Sequence, residues 1–303
     1  MFRALLALVV LTSACKGDDD DGGGSDPDGG SAGADASGDT PDGGGEAACT
    51  FQSAVGVFTV SSSPEFGNAG GSVADVPFPT FVEEKMRDGE CAFHGAPFCD
   101  PACEGGDICT AGGVCSPFPT NLDAGTVHIT GTDPALDLEP QAGPSYYTME
   151  NYPDLYQPGD LLTLTGGGDD TDVPAFEATA RGVPVLELPT TQLTATEHED
   201  MVVEWDTAGD SPDGAAVVLH MDSDHHGAPG FIECWAADDG EVTVAADLID
   251  AIIAVGESGI GTYIENAYIM RVDAGTDDLG GGDCLVFHTE SRVQVSVETV
   301  RDE

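Results

Sequence analysis

Positive charge is nearly missing from this chain. Its 303 residues carry eight Lys and Arg together, and only Lys16 and Lys85 are lysines. Against 56 Asp and Glu, this leaves a formal net charge of −48. Such a surface repels phosphate backbones, so nucleic-acid binding is excluded, and no anion pocket can be built from so few bases. Long apolar runs are missing as well: the longest is the eight residues Ala4 to Leu11, far short of the roughly 20 that a spanning helix needs. Aromatics make up 7%, while Gly (41) and Pro (19) favour strands, turns and linkers over long helices. Forty per cent hydrophobic residues still suffice for a core, so wholesale disorder is excluded.

Met1-Phe2-Arg3 followed by the apolar run reads as the n- and h-regions of a signal peptide, cut near Ala14. The run ends in Leu11-Thr12-Ser13-Ala14-Cys15, which resembles the lipobox of bacterial lipoproteins. That resemblance implies lipidation of Cys15 and membrane attachment through acyl chains. Lys16 after the cysteine, by resemblance to the family's sorting rule, implies the outer membrane, facing periplasm or cell surface. Residues 16–48 are almost wholly Asp, Gly, Ser, Ala and Pro, with ten acids against one lysine. Such a segment cannot bury enough surface to offset chain entropy, and it repels itself. We expect a disordered acidic linker over 15–48, a signal peptide over 1–14 and a folded domain over 49–303.

Nine cysteines is an odd number for an exported chain. With Cys15 taken by lipid, Cys49, Cys91, Cys99, Cys103, Cys109, Cys115, Cys234 and Cys284 remain, enough for four disulfides. The C-x3-C-x5-C-x5-C run from Cys99 to Cys115 lacks the C-x2-C pairs of a zinc site, and on spacing alone it allows three connectivities. With its glycine pairs it resembles the disulfide knots of EGF-like modules. This resemblance implies the crossed pairing Cys99–Cys109 and Cys103–Cys115, in a Cys-rich excursion at 91–120. Cys49 is then expected to join Cys91. Cys234 and Cys284, two thiols left over on strand-like segments, are expected to join each other, with Trp235 on the opposite face from Cys234.

From about residue 50, short apolar runs alternate with turn clusters: Val55–Val60, Thr126–Thr130, Leu161–Thr165, Ala175–Ala180, Met201–Trp205, Ala216–Met221, Phe231–Trp235, Glu241–Val244, Tyr263–Arg271, Cys284–Thr289 and Val293–Val300. Period-two alternation, as in Val293-Gln-Val-Ser-Val-Glu-Thr-Val, marks half-buried strands. One helix is predicted, Ala245–Val255. The expected fold is all-β, an antiparallel β-sandwich with a disulfide-rich excursion and one short helix. The series Asp123-Ala-Gly-Thr-Val-His-Ile-Thr-Gly131, Tyr156-Gln-Pro-Gly-Asp160, Val202-Val-Glu-Trp205 and Ile232-Glu-Cys234-Trp resembles uncharacterised lipoproteins of myxobacteria. That family brings architecture and location, and no activity.

Candidate sites are thin. Asp222-Ser-Asp224, with Glu233 at the twelfth place, echoes an EF-hand frame, yet its flanks read as strands and a polar hairpin turn is expected. His220, His225 and His226 add imidazoles near it. Asp273, Asp277, Asp278 and Asp283 mark an acidic loop, a loose calcium candidate. Around Ser258 a nucleophile-elbow pattern fails, because Ile260 stands where glycine is required. We expect no cofactor, with calcium the single candidate, and no enzyme activity. The expected role is a non-enzymatic, lipid-anchored envelope module with a protein or glycan partner. The alternatives are a calcium-dependent carbohydrate-binding or adhesion module, and an extracellular hydrolase with paired carboxylates.

Overall fold

The computed structural model describes residues 49–51, 53–78, 81–223, 230–257 and 264–301. The leader, Cys15, the acidic linker, Asp224, His225, His226 and Ser258 lie outside these residues. Chain order begins β1 (Gly56–Ser62), β2 (Gly67–Val73), β3 (Glu83–Asp88), β4 (Cys91–Gly95), β5 (Ile108–Thr110) and β6 (Val114–Ser116). It continues with β7 (Val127–Thr130), β8 (Leu136–Leu138), β9 (Tyr146–Tyr147), β10 (Leu161–Gly166), β11 (Phe176–Arg181) and β12 (Gln192–Thr196). Then come β13 (Met201–Glu204), β14 (Ala216–Asp222), β15 (Gly230–Ala237), β16 (Glu241–Val244), α1 (Ala246–Glu257), β17 (Ile264–Gly280) and β18 (Asp283–Val300).

Ten strands form the main sheet, in the order β3-β4-β15-β14-β17-β18-β1-β2-β9, with β12 also on β18. A four-stranded sheet, β11-β10-β7-β8, and two two-stranded sheets, β13-β16 and β5-β6, complete the β structure. Two pairs depart from the expected antiparallel pattern: β1 and β12 both run parallel to β18. Parallel neighbours require long crossovers, and the chain makes them over most of its length.

One face of the main sheet carries two separate cores. Phe58 and Val60 of β1 and Leu285 and Phe287 of β18 pack with Leu162, Leu164 and Phe176 of the four-stranded sheet, a two-layer sandwich. Farther along, Leu219, Ile232, Ile269 and Val295 pack under α1 and the β13-β16 pair, where Leu248, Ile249 and Ile252 are buried. Helix periodicity explains this docking, since these residues recur at three- and four-residue spacing. The hairpin β17–β18, strands of 17 and 18 residues, runs through both cores.

Arg271 closes the gap between the cores. Its guanidinium is fully buried and holds Asp238 through Nε (2.7 Å) and Nη2 (3.0 Å), while Nη2 also donates to the Asp206 carbonyl at 2.8 Å. Trp205 Nε1 and Ser211 Oγ donate to the same carboxylate at 2.9 and 2.5 Å. Burial alone would raise the Asp238 pKa, but the Arg271 and Ser211 hydrogen bonds outweigh it and hold the carboxyl below its usual range.

All eight cysteines from 49 onward are bridged. The knot holds Cys99–Cys109 and Cys103–Cys115. The other two pairings differ from expectation: Cys49 joins Cys284, and Cys91 joins Cys234. Cys91 sits in β4 of the main sheet, directly opposite Cys234 of β15, with Cα atoms 3.9 Å apart. Cys234 cannot reach Cys284, because β14 and β17 lie between their strands. Three strand spacings come to roughly 14 Å, about twice the reach of a disulfide. Trp235 does face away from Cys234, packing in a small cluster on the opposite side with Val218, Tyr268 and Met270.

Candidate functional site

Strand alternation decides which side chains share the sheet face turned away from the two large cores. Along β18, Leu285 and Phe287 point into one core, so His288, Glu290, Arg292 and Gln294 fall on the outer face. Registers across the sheet bring further groups into line with them. His94 pairs with Phe231, His220 with both Glu233 and Tyr268, and Met270 with Arg292.

The rings stack as a ladder across the strands. Centroids lie 4.8 Å apart for His94–Phe231, 4.9 Å for Phe231–His220 and 4.8 Å for His220–Tyr268. These values match the strand spacing of about 4.8 Å, so each ring stands on the sheet and covers its neighbour's face. That mutual cover is why two imidazoles are buried on an outer face. Arg292 ends the row, its guanidinium 4.3 Å from the Tyr268 centroid. Burial raises the Tyr268 phenol well above its usual range and lowers the His94 imidazole below its own.

Two imidazole–carboxylate pairs lie on this face. His220 Nδ1 stands 3.7 Å from Glu233 Oε2, and neither atom has a hydrogen-bond partner. The other Glu233 oxygen accepts Trp235 Nε1 at 2.8 Å. In the second pair, His288 Nε2 stands 3.7 Å from Glu290 Oε2. Glu290 accepts Ser61 Oγ at 2.5 Å and Arg292 Nη2 at 3.1 Å. Burial pushes its pKa up, but His288, Arg292 and Ser61 bring it down to about 2. His288 Nε2 also meets Thr59 Oγ1 at 3.0 Å, and Phe51 sets a ring edge on the imidazole at 4.9 Å.

The chemistry these groups allow is narrow. Thr59 and His288 make a hydroxyl–imidazole pair, yet Nδ1, where a triad carries its orienting carboxylate, has no partner. Glu233 on β15 and Glu290 on β18 are three strand spacings and four residues of strand apart, roughly 19 Å and beyond the ~5–9.5 Å of glycosidase pairs.

The acidic candidates occupy structural positions. Residues 273–280 are strand rather than loop, because β17 continues to Gly280. Asp273 accepts the Arg181 amide at 2.6 Å and Asp277 the Glu177 amide at 2.8 Å, so both cap the edge of β11. Asp222 ends β14, and Glu233 lies on β15, bound to Trp235 rather than turned toward a loop. The flanks of that EF-hand-like frame are strands. Among the described residues, the one grouping of three metal-type donors within 4.8 Å is Cys99, Cys103 and Cys115, and their sulfurs are spent in the knot.

The sequence reading passed over His94, Phe231, Tyr268, His288, Glu290 and Arg292 as a group. One signal was present: from Val286 to Gln294 every second residue is polar or charged after the first. No helix among the described residues is long and apolar enough to cross a membrane. No protein-family model matches the chain, and no curated protein matches it. Among solved structures, the FN1–FN3 domains of chicken CNTN1 align at 9% identity and a TM-score of 0.20. That alignment covers 74% of this chain and 66% of the other, just under two thirds of its length. The described residues thus form a mainly β fold with one short helix and four disulfides.

Proposed function

We propose that this chain is an exported, lipid-anchored envelope protein, a non-enzymatic module that presents a disulfide-tied β domain to a protein or glycan partner. One observation carries the reading: every cysteine from Cys49 onward has a disulfide partner within the domain, which leaves Cys15 as the odd thiol, at the lipobox position. Four bridges belong to an oxidising compartment, in line with export. The outer membrane is the proposed location, and two or more acyl chains on Cys15 supply stable attachment.

Geometry sets the histidine–aromatic row far from the entry of the chain. The Cys49–Cys284 bridge places the start of the domain beside the turn of the β17–β18 hairpin. Ten residues farther along β18, about 33 Å away, Gln294 shares its row with Tyr268, His220 and Glu233. The test is fractionation of cells expressing Cys15→Ser beside the parent chain. We expect the variant to become soluble or to remain unprocessed; a normally processed variant that stays in the membrane overturns the anchor.

A further inference from the structure

The Cys49–Cys284 bridge closes a covalent ring around almost the whole domain. The two cysteines are 235 positions apart, and the other three bridges lie inside that span. Its place in the sheet is equally specific. β1 and β18 run parallel with Gly56 opposite Leu285, so the entering segment and the start of β18 share one end of the sheet. From Cys284 the chain continues as extended strand to Val300, paired with β17 over most of its length and with β1 and β12 on its other side.

We infer that this bridge is a load bypass: tension arriving through the acidic segment crosses from Cys49 to Cys284 and runs along β18. For tension between the acidic segment and the end of β18, the covalent path then passes through neither β1 nor any other residue between the two cysteines. The role rests on the tethered reading above, whereas the ring does not. Without the bridge, the same tension enters at Val55 and Gly56 and draws on β1 end first. With it, the load meets lengthwise the longest strand among the described residues. A strand already extended at about 3.3 Å per residue has little slack, so the path from Cys284 to Arg301 gains only about 1 nm when drawn taut.

Single-molecule stretching of the purified Cys15→Ser chain, with handles before Cys49 and after Arg301, tests this independently of lipidation. The oxidised protein should give no unfolding step beyond a few nanometres. The Cys49→Ser, Cys284→Ser double variant frees the 42 residues from Cys49 to Cys91 and the 67 from Cys234 to Arg301, while Cys91–Cys234 still locks the rest. Its unfolding should release roughly 40 nm of contour, and full reduction roughly 90 nm. Should the double variant fail to fold, thiol added to the wild-type protein under load should produce the long steps only after its addition. Extension of the oxidised protein by tens of nanometres overturns the proposal, as does a double variant no more extensible than wild type. A Cys15→Ser protein that stays in the membrane would sink the anchor and leave the ring untouched.

Discussion

Arg271 and Asp238 face each other across the junction of the two cores, Nε to Oδ2 at 2.7 Å, with the arginine wholly out of solvent. Arg271 belongs to β17 and Asp238 to the turn between β15 and β16. The pair joins the central hairpin to the α1 half of the molecule. Removing one partner of a buried pair strands the other charge. Arg271→Ala should therefore cost about 3–5 kcal/mol, read as a lower midpoint in chemical denaturation. Arg271→Lys should recover only part of this, since an ammonium cannot hold Asp238 through two parallel bonds. A loss below about 1 kcal/mol for the alanine variant would show that the pair contributes little.

Gly275 marks the closest approach between the four-stranded sheet and β17. A Cβ there would lie 1.9 Å from the Thr179 carbonyl oxygen of β11. Gly275→Ala must push β11 away and disturb the caps that Asp273 and Asp277 place on its amides. Overpacking of this kind costs about 1–3 kcal/mol. The expected readout is a clear drop in melting temperature, against little change for Gly282→Ala at the open hairpin turn beyond the strain of its positive φ. Equal melting of Gly275→Ala and wild type would refute the contact.

Acid sensitivity follows from two groups. The folded pKa of Glu290 is depressed from 4.5 to about 2, so its contribution is complete above about 4.5 and is lost as pH falls from there toward 2. His94 is depressed below 6.5 mainly by burial, opposed by Glu233 and Glu84. It resists protonation when folded, so stability falls as pH drops below about 6.5. Both shifts act in the same direction. Stability measured from pH 7 to pH 3 should decline in two stages, with His94→Gln flattening the upper stage and Glu290→Gln the lower. A profile left unchanged by both substitutions would remove these groups from the acid response.

Mass mapping of the unreduced protein should recover peptides linking Cys49 with Cys284 and Cys91 with Cys234. Cys234→Ser with Cys91→Ser opens a ring 143 positions long, which the chain-entropy model values at about 5 kcal/mol. A Cys234–Cys284 peptide in the map would contradict the strand order of the main sheet.

Much of the architecture was legible in local pattern. Val55–Val60, Leu161–Thr165 and Ala216–Met221 became β1, β10 and β14, and the predicted helix Ala245–Val255 became α1 (Ala246–Glu257). These segments place apolar residues at the period of their element, and that signal is local. Strands with little side-chain signal escaped, among them β2, Gly67-Asn-Ala-Gly-Gly-Ser-Val73, and β3, all charged residues but Met86. β2 is a strand because β1 and β9 pair with its backbone, which no composition reveals. The acidic stretch after Val272 reads as loop for the same reason, yet β18 pairs with it to Gly280.

By itself the sequence determined what depends on composition and near neighbours. These are the excess of negative charge, the acidic composition of residues 16–48, an even set of cysteines behind Cys15, the mainly β class and the one helix among the described residues. Which cysteine meets which, and which histidine stands beside which carboxylate, was decided by the order of strands in the sheet. His220 and Glu233 are 13 residues apart, while Ser61 and Glu290 are 229 apart, yet both pairs sit on directly opposed residues of adjacent strands. Strand order is a global choice, fixed when two cores and a long hairpin pack together. Local periodicity says which face a side chain takes and is silent about its neighbour across the sheet.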